Sequence, residues 1–137
     1  MSHTDGMQVH RWPSGALLLA LLLGCLLGCV AGCERTCPAI TPSPFVQKLR
    51  VLPAAAVLCA ERGDGLRAQL PKTTMDDAEA AFMIHLPKVG WGLAPSSYPH
   101  QVRAQFGLGA NACKAVVSFS EKPGAATFAD VVFDNCR

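Results

Sequence analysis

Cys37, Cys59, Cys113 and Cys136 stand as widely separated singles. Structural zinc sites bring their ligands in pairs about two to four residues apart, so this spacing favours two disulfides over a metal site. Four cysteines allow three pairings. The favoured one is Cys37–Cys59, which would pin an N-terminal arm, with Cys113–Cys136, which would join the outer ends of a terminal hairpin. A one-residue shift in that hairpin's turn would set Cys113 and Cys136 on opposite faces. His85 and His100 are the histidines beyond residue 10. Nucleophilic catalysis needs such a base beside a serine or cysteine, with a third group to orient it. Ser118 and Ser120 fall in a strand-like run without a Gly-x-Ser-x-Gly elbow, so no catalytic residue is assigned. His85 reads as a partly exposed helix residue, and His100 lies in a loop. Asp76, Asp77 and Glu79 resemble a carboxylate cluster for metal or acid chemistry, but their place in the first turn of a helix explains them by capping and dipole. No metal ligand and no cofactor is therefore expected. Gly107-Leu108-Gly109 opens no helix and is not a phosphate loop. Trp91, Tyr98 and His100, gathered in one loop, are the candidate partner contacts, since loop aromatics often anchor interfaces. The alternative for Trp91 is a cover over the edge of the core.

A few elements must position these groups. Residues 57–61 and 66–70 flank Gly63-Asp64-Gly65, a hairpin signal. With Asp64 and Gly65 central in a type I′ turn, Cys59 would lie opposite Leu70 on the core side. Residues 75–86 predict the one helix, capped by Thr73 or Thr74, with Met75, Ala78, Phe82 and Leu86 on one face. Pro87 should stop or kink it, and Gly90 should supply the exit. Residues 90–101 read as a loop. Three strands follow at 102–108, 114–120 and 127–134, the last two joined through Pro123-Gly124. The expected fold is α+β, a small antiparallel sheet in the order β-β-α-β-β-β with one helix on one face. Ahead of it, Pro38, Pro42, Pro44 and Pro53 mark residues 33–56 as a Pro-rich tether or a packed arm. The domain itself is placed at residues 57–137.

Residues 16–33, ALLLALLLGCLLGCVAGC, form an uncharged apolar run close to the N-terminus. Such a run reads as a targeting segment rather than as part of a fold. The weakly basic stretch before it carries Arg11, offset by Asp5 unless translation starts at Met7. It has no twin-Arg pair, which favours general secretion. Val30-Ala31-Gly32-Cys33 resembles the lipobox of bacterial lipoproteins. The resemblance implies a signal peptide over residues 1–32, diacylglycerol on the Cys33 thiol, cleavage before it, and acylation of the new N-terminus. Cys25 and Cys29 are alternative lipidation sites. Cys33 is favoured because Ala31 suits the box, because Glu34-Arg35-Thr36 turns polar at once, and because four cysteines then remain to pair. Competing readings are an uncleaved transmembrane helix, for which the run is just long enough, and a plain cleaved signal peptide. The predicted helix followed by Gly90-Trp91 and strands also resembles small bacterial envelope lipoproteins of unassigned function, a likeness that brings no catalytic residues.

The part beyond the leader has room for one small domain. Arg11 and Asp5 leave with the leader, so the net charge stays at +2. The charges are interspersed, which gives nucleic-acid binding no support. A chain of this size buries a modest core, and export permits disulfides to reinforce it. The expected protein is a cell-envelope lipoprotein, anchored in a membrane by lipid and facing the periplasm or exterior. Its small disulfide-stabilised domain would bind an envelope protein partner or support an assembly. The alternatives are a small envelope hydrolase using His85 or His100, and a lipid-anchored inhibitor that wedges the 90–101 loop into an exported enzyme.

Overall fold

The computed structural model describes residues 36–121 and 126–136. The leader, the lipidation candidates Cys25, Cys29 and Cys33, and the Pro123-Gly124 connection lie outside the described residues. Among the described residues, no helix is long and apolar enough to cross a membrane.

Among the described residues, two helices and six strands follow in the order α1 (Pro44–Leu49), β1 (Val57–Arg62), β2 (Gly65–Leu70), α2 (Met75–Lys88), β3 (Gly92–Ala94), β4 (Gln101–Phe106), β5 (Cys113–Glu121) and β6 (Thr127–Asp134). The strands make one antiparallel sheet in the spatial order β1-β2-β6-β5-β4-β3, and α2 packs on one face of it. The fold is α+β. It differs from the sequence expectation by one helix and one strand. Residues 44–49, inside the Pro-rich stretch, form α1, and residues 92–94, inside the expected loop, form β3.

The core follows from strand alternation. Leu66, Ala68 and Leu70 on β2, Ala129, Val131 and Phe133 on β6, Ala115, Val117 and Phe119 on β5, and Val102 and Ala104 on β4 are all buried. The registers place these residues side by side across the sheet, so one pleat face is apolar and must be covered. Ala78, Phe82 and Leu86 of α2, all at zero exposure, supply the cover. Phe82 meets Phe119 edge-on with ring centroids 5.3 Å apart, a preferred aromatic geometry.

The helix begins and ends for local reasons. The Thr74 hydroxyl accepts from the Asp77 N–H at 3.2 Å, and Asp76 and Asp77 occupy the first turn. Thr73 is engaged elsewhere, donating to the Pro71 carbonyl at 2.9 Å. Pro87 sits inside the last turn, and the helix runs one residue past it to Lys88. The Leu86 carbonyl is then taken up by the N–H groups of Val89 (3.2 Å) and Trp91 (3.0 Å). Gly90 takes φ +99°, and a Cβ there would stand 3.0 Å from the Phe106 ring. Both facts favour glycine at this exit.

The first hairpin differs from its expected register. Arg62 pairs with Gly65, so Gly63 and Asp64 are the two turn residues. Gly63 has φ +52° while Asp64 is not in the left-handed region, the pattern of a type II′ turn. The register then shifts between Leu58 and Ala60. Cys59 is the extra residue of a β-bulge rather than the partner of Leu70.

Residues 36–56 belong to the packed unit. The Cys37 N–H donates to Gln69 Oε1, and Gln69, on the pleat face away from α2, is fully buried. The Ile40 N–H reaches the Leu58 carbonyl at 3.0 Å, and the Ser43 N–H reaches Glu61 Oε1 at 2.8 Å. The chain thus passes around the outer edge of β1 before α1 starts on the core side. There Ser43 caps α1, Pro44 opens it, Phe45 meets Phe133 edge-on at 5.6 Å, and Val46 and Val51 enter the core. An edge strand that would otherwise template aggregation is bridged in this way.

Candidate functional site

The structure contains the bonds Cys37–Cys59 and Cys113–Cys136, the pairing favoured from the sequence. The bulge presents Cys59 to the arm. At the other end, Cys113 lies on the core face, 9 % exposed. The β5–β6 register sets Lys114 opposite Asp134, so a continued β6 would carry Cys136 to the wrong face. Asn135 takes φ +57° instead, a left-handed conformation that Asn tolerates better than most residues. That turn brings Cys136 back to Cys113.

The three loop residues singled out as partner contacts separate. Trp91 is 2 % exposed, and its indole N–H donates to the Leu49 carbonyl at 2.9 Å. It covers the core edge and receives the end of α1. His85 does related work. Its Nε2 lies 2.8 Å from the Arg50 carbonyl, and a carbonyl only accepts, so this nitrogen carries the proton. The last carbonyls of a helix lack partners within it, and here two side chains from the C-terminal end of α2 and the residues after it meet the end of α1.

Tyr98, by contrast, is 68 % exposed. It lines a groove of about 270 Å³ with Met83 and Glu79 of α2, Leu93 and Ala94 of β3, and Arg103 of β4. Met83 and Leu93 are also exposed for apolar residues. The groove therefore sets three apolar side chains beside the outermost strand of the sheet. Ser96 Oγ, also at its rim, donates to Gln101 Oε1 at 3.0 Å. A larger concavity of about 420 Å³ lies over Arg67, Asp130 and Val132 on the opposite sheet face. Two of its charges are paired there, Arg67 lying 3.4 Å from Asp130 and 4.4 Å above the Phe128 ring, and Arg62 also lines it.

His100 is the third residue. It ends the 90–101 segment, where its carbonyl accepts from the Phe119 N–H at 3.0 Å. Its Nδ1 faces α2, 3.7 Å from Glu79 Oε2 and 3.8 Å from Asp76 Oδ1. Asp76 and Glu79 are three residues apart on the helix and share a face. Both distances exceed a hydrogen bond, and Nδ1 is buried without a hydrogen-bond partner. The sequence singled out all three residues but offered nothing to join them. The carboxylates had a sufficient reason in the helix dipole, and His100 arrives from a segment whose path depends on β3, which the sequence did not reveal.

No family model, curated protein or solved structure matches this chain. What the fold and site define is a class: a disulfide-braced α+β domain, with one sheet edge wrapped by its own arm and the other beside a groove of mixed apolar and polar lining.

Proposed function

We propose that this chain is a lipid-anchored cell-envelope protein whose small domain binds a polypeptide partner in the groove beside β3. The observation that carries the binding reading is the gathering of exposed Met83, Leu93 and Tyr98 around an edge strand. An edge strand offers unpaired backbone N–H and C=O groups, and the groove next to it, where Met83, Leu93 and Tyr98 stand beside Glu79 and Arg103, offers a pocket for alternate side chains. Together these are the elements of recognition by strand addition. The arm bridges the opposite edge at Ile40, which leaves β3 as the edge to be extended. The anchoring reading is supported by the lipobox-like Val30-Ala31-Gly32-Cys33 and by two disulfides, which belong to oxidising compartments.

Two measurements test this reading. Acyl labelling and intact mass of the protein made in a bacterium, beside C25S, C29S and C33S, should show label and processing lost only in C33S. Retention of residues 1–32 without lipid in every case would overturn the anchor. For the groove, the full chain should enrich extended peptides with apolar residues from a random octapeptide library. Binding should fall at least tenfold, about 1.4 kcal/mol, in Leu93→Asp. Absence of enrichment, or equal binding by Leu93→Asp, would overturn the groove.

One observation favours a second reading, an envelope hydrolase: His100 stands beside two carboxylates. That reading requires His100→Ala to abolish a turnover that His85→Ala leaves intact. An unchanged phenotype in the double variant counts against it.

A further inference from the structure

We propose that Asp76, Glu79 and His100 form a binding site for a first-row divalent cation, with zinc as the natural probe. This inference does not rest on the anchor or on peptide binding, although Glu79 lines the groove as well. One donor atom from each residue lies within 4.8 Å of the other two. Around a tetrahedral zinc with bonds near 2.1 Å, neighbouring donors stand about 3.4 Å apart. The imidazole nitrogen is already 3.7 and 3.8 Å from its two carboxylate oxygens. Closing the set needs a small rotation of the Asp76 side chain, which is 88 % exposed and free to make it.

The helix dipole accounts for acidic residues in the first turn of α2, but it does not account for an imidazole from a segment more than twenty residues away. Nor does it account for the state of that imidazole. The side chain as a whole is 40 % exposed, but its Nδ1 is buried among the carboxylates, close enough to each for an ion pair yet too far for a hydrogen bond, and nothing hydrogen-bonds to it. Buried polar atoms in folded proteins are satisfied with few exceptions, and an exception calls for an unseen water or ion. A cation between Nδ1 and the two carboxylates satisfies it and also offsets the negative charge of Asp76 and Glu79. One nitrogen and two carboxylate oxygens suit zinc, manganese or cobalt. Three protein ligands leave a fourth position for water or for a group on a partner.

The test is a zinc titration of the full-length oxidised protein, followed by the ring signals of His100 in NMR spectra and by calorimetry. A residue-specific readout is needed because the leader cysteines can also take zinc. The His100 ring signals should shift saturably. In Glu79→Gln and Asp76→Asn, the affinity read at His100 should fall by about tenfold or more. His100→Ala should remove the calorimetric site that remains when Cys25, Cys29 and Cys33 are serine. His85→Ala should bind as the parent does. Thermal melts of the variants without metal confirm that the fold is intact. His100 signals that stay unmoved at ~1 mM zinc, or that shift equally in Glu79→Gln, would overturn the site and leave a simple ion pair.

Discussion

At the scale of single residues, two polar contacts tie the end of α1 to the rest of the domain. The Trp91 indole and the His85 imidazole each donate to a carbonyl at the end of α1. Removing one partner of a buried hydrogen bond costs about 1–3 kcal/mol when the other is left unsatisfied. Trp91→Phe should therefore lower the stability read from urea unfolding by roughly that amount. Tyr98→Phe, at an exposed position, should change it by less than ~0.5 kcal/mol. From the sequence, Trp91 could be read as a partner contact or as a lid on the core. Its loop position favoured the first and its size the second, and in a domain with a modest core the size decided. Tyr98, with the same loop address and a hydroxyl, stays outside. The encounter of His100 with Asp76 and Glu79 was not legible, because no local pattern encodes where a loop residue meets a helix more than twenty positions earlier.

At the scale of elements, the long periodic ones were legible and the short ones were not. Fourteen residues of α2 carry an apolar face that repeats over several turns, and β4, β5 and β6 alternate long enough to declare themselves. The six residues of α1 are too few for periodicity to show. The signs of α1 were punctuation alone, a serine cap followed by proline at the first helical position, set among prolines that equally mark a tether. The three residues of β3 carry no alternation to detect. The hairpin turn moved by one residue because Gly63 is better placed to take φ > 0 at the first central position than Asp64. These differences matter for where the domain begins. If residues 36–56 were a solvated tether, Val51→Ala would have no effect. Val51 is fully buried, so the substitution should cost about 2 kcal/mol through lost burial and the cavity left behind, read as a lower midpoint in urea.

For the whole molecule, the disulfides enclose separations of 22 and 23 residues, one at each end of the described chain. By loop-closure entropy each should contribute about 3 kcal/mol, a sizeable part of the roughly 5–15 kcal/mol typical of a domain. Denaturation under reducing conditions should show both contributions lost, and the double variant Cys37→Ser/Cys59→Ser, which lacks one bridge, should lose about half. Unchanged unfolding after complete reduction would show that the apolar core alone sets the stability. The two bridges also act on different parts. Cys113–Cys136 closes the hairpin at the centre of the sheet, whereas Cys37–Cys59 holds the arm that bridges β1.

That second bridge also fixes where mechanical load enters the domain. Any pull on the chain ahead of residue 37 passes through the covalent link into Cys59, at the bulge of β1. The segment between the two cysteines, with α1 inside it, is bypassed and carries no tension while the link is intact. Without the link, the same pull would first peel the arm from the β1 edge and draw α1 out from beneath Trp91 and His85, contact by contact. With it, the force must drag a sheet strand against its neighbour, so a domain held by its N-terminal end keeps its packed arm under strain that would otherwise unravel it.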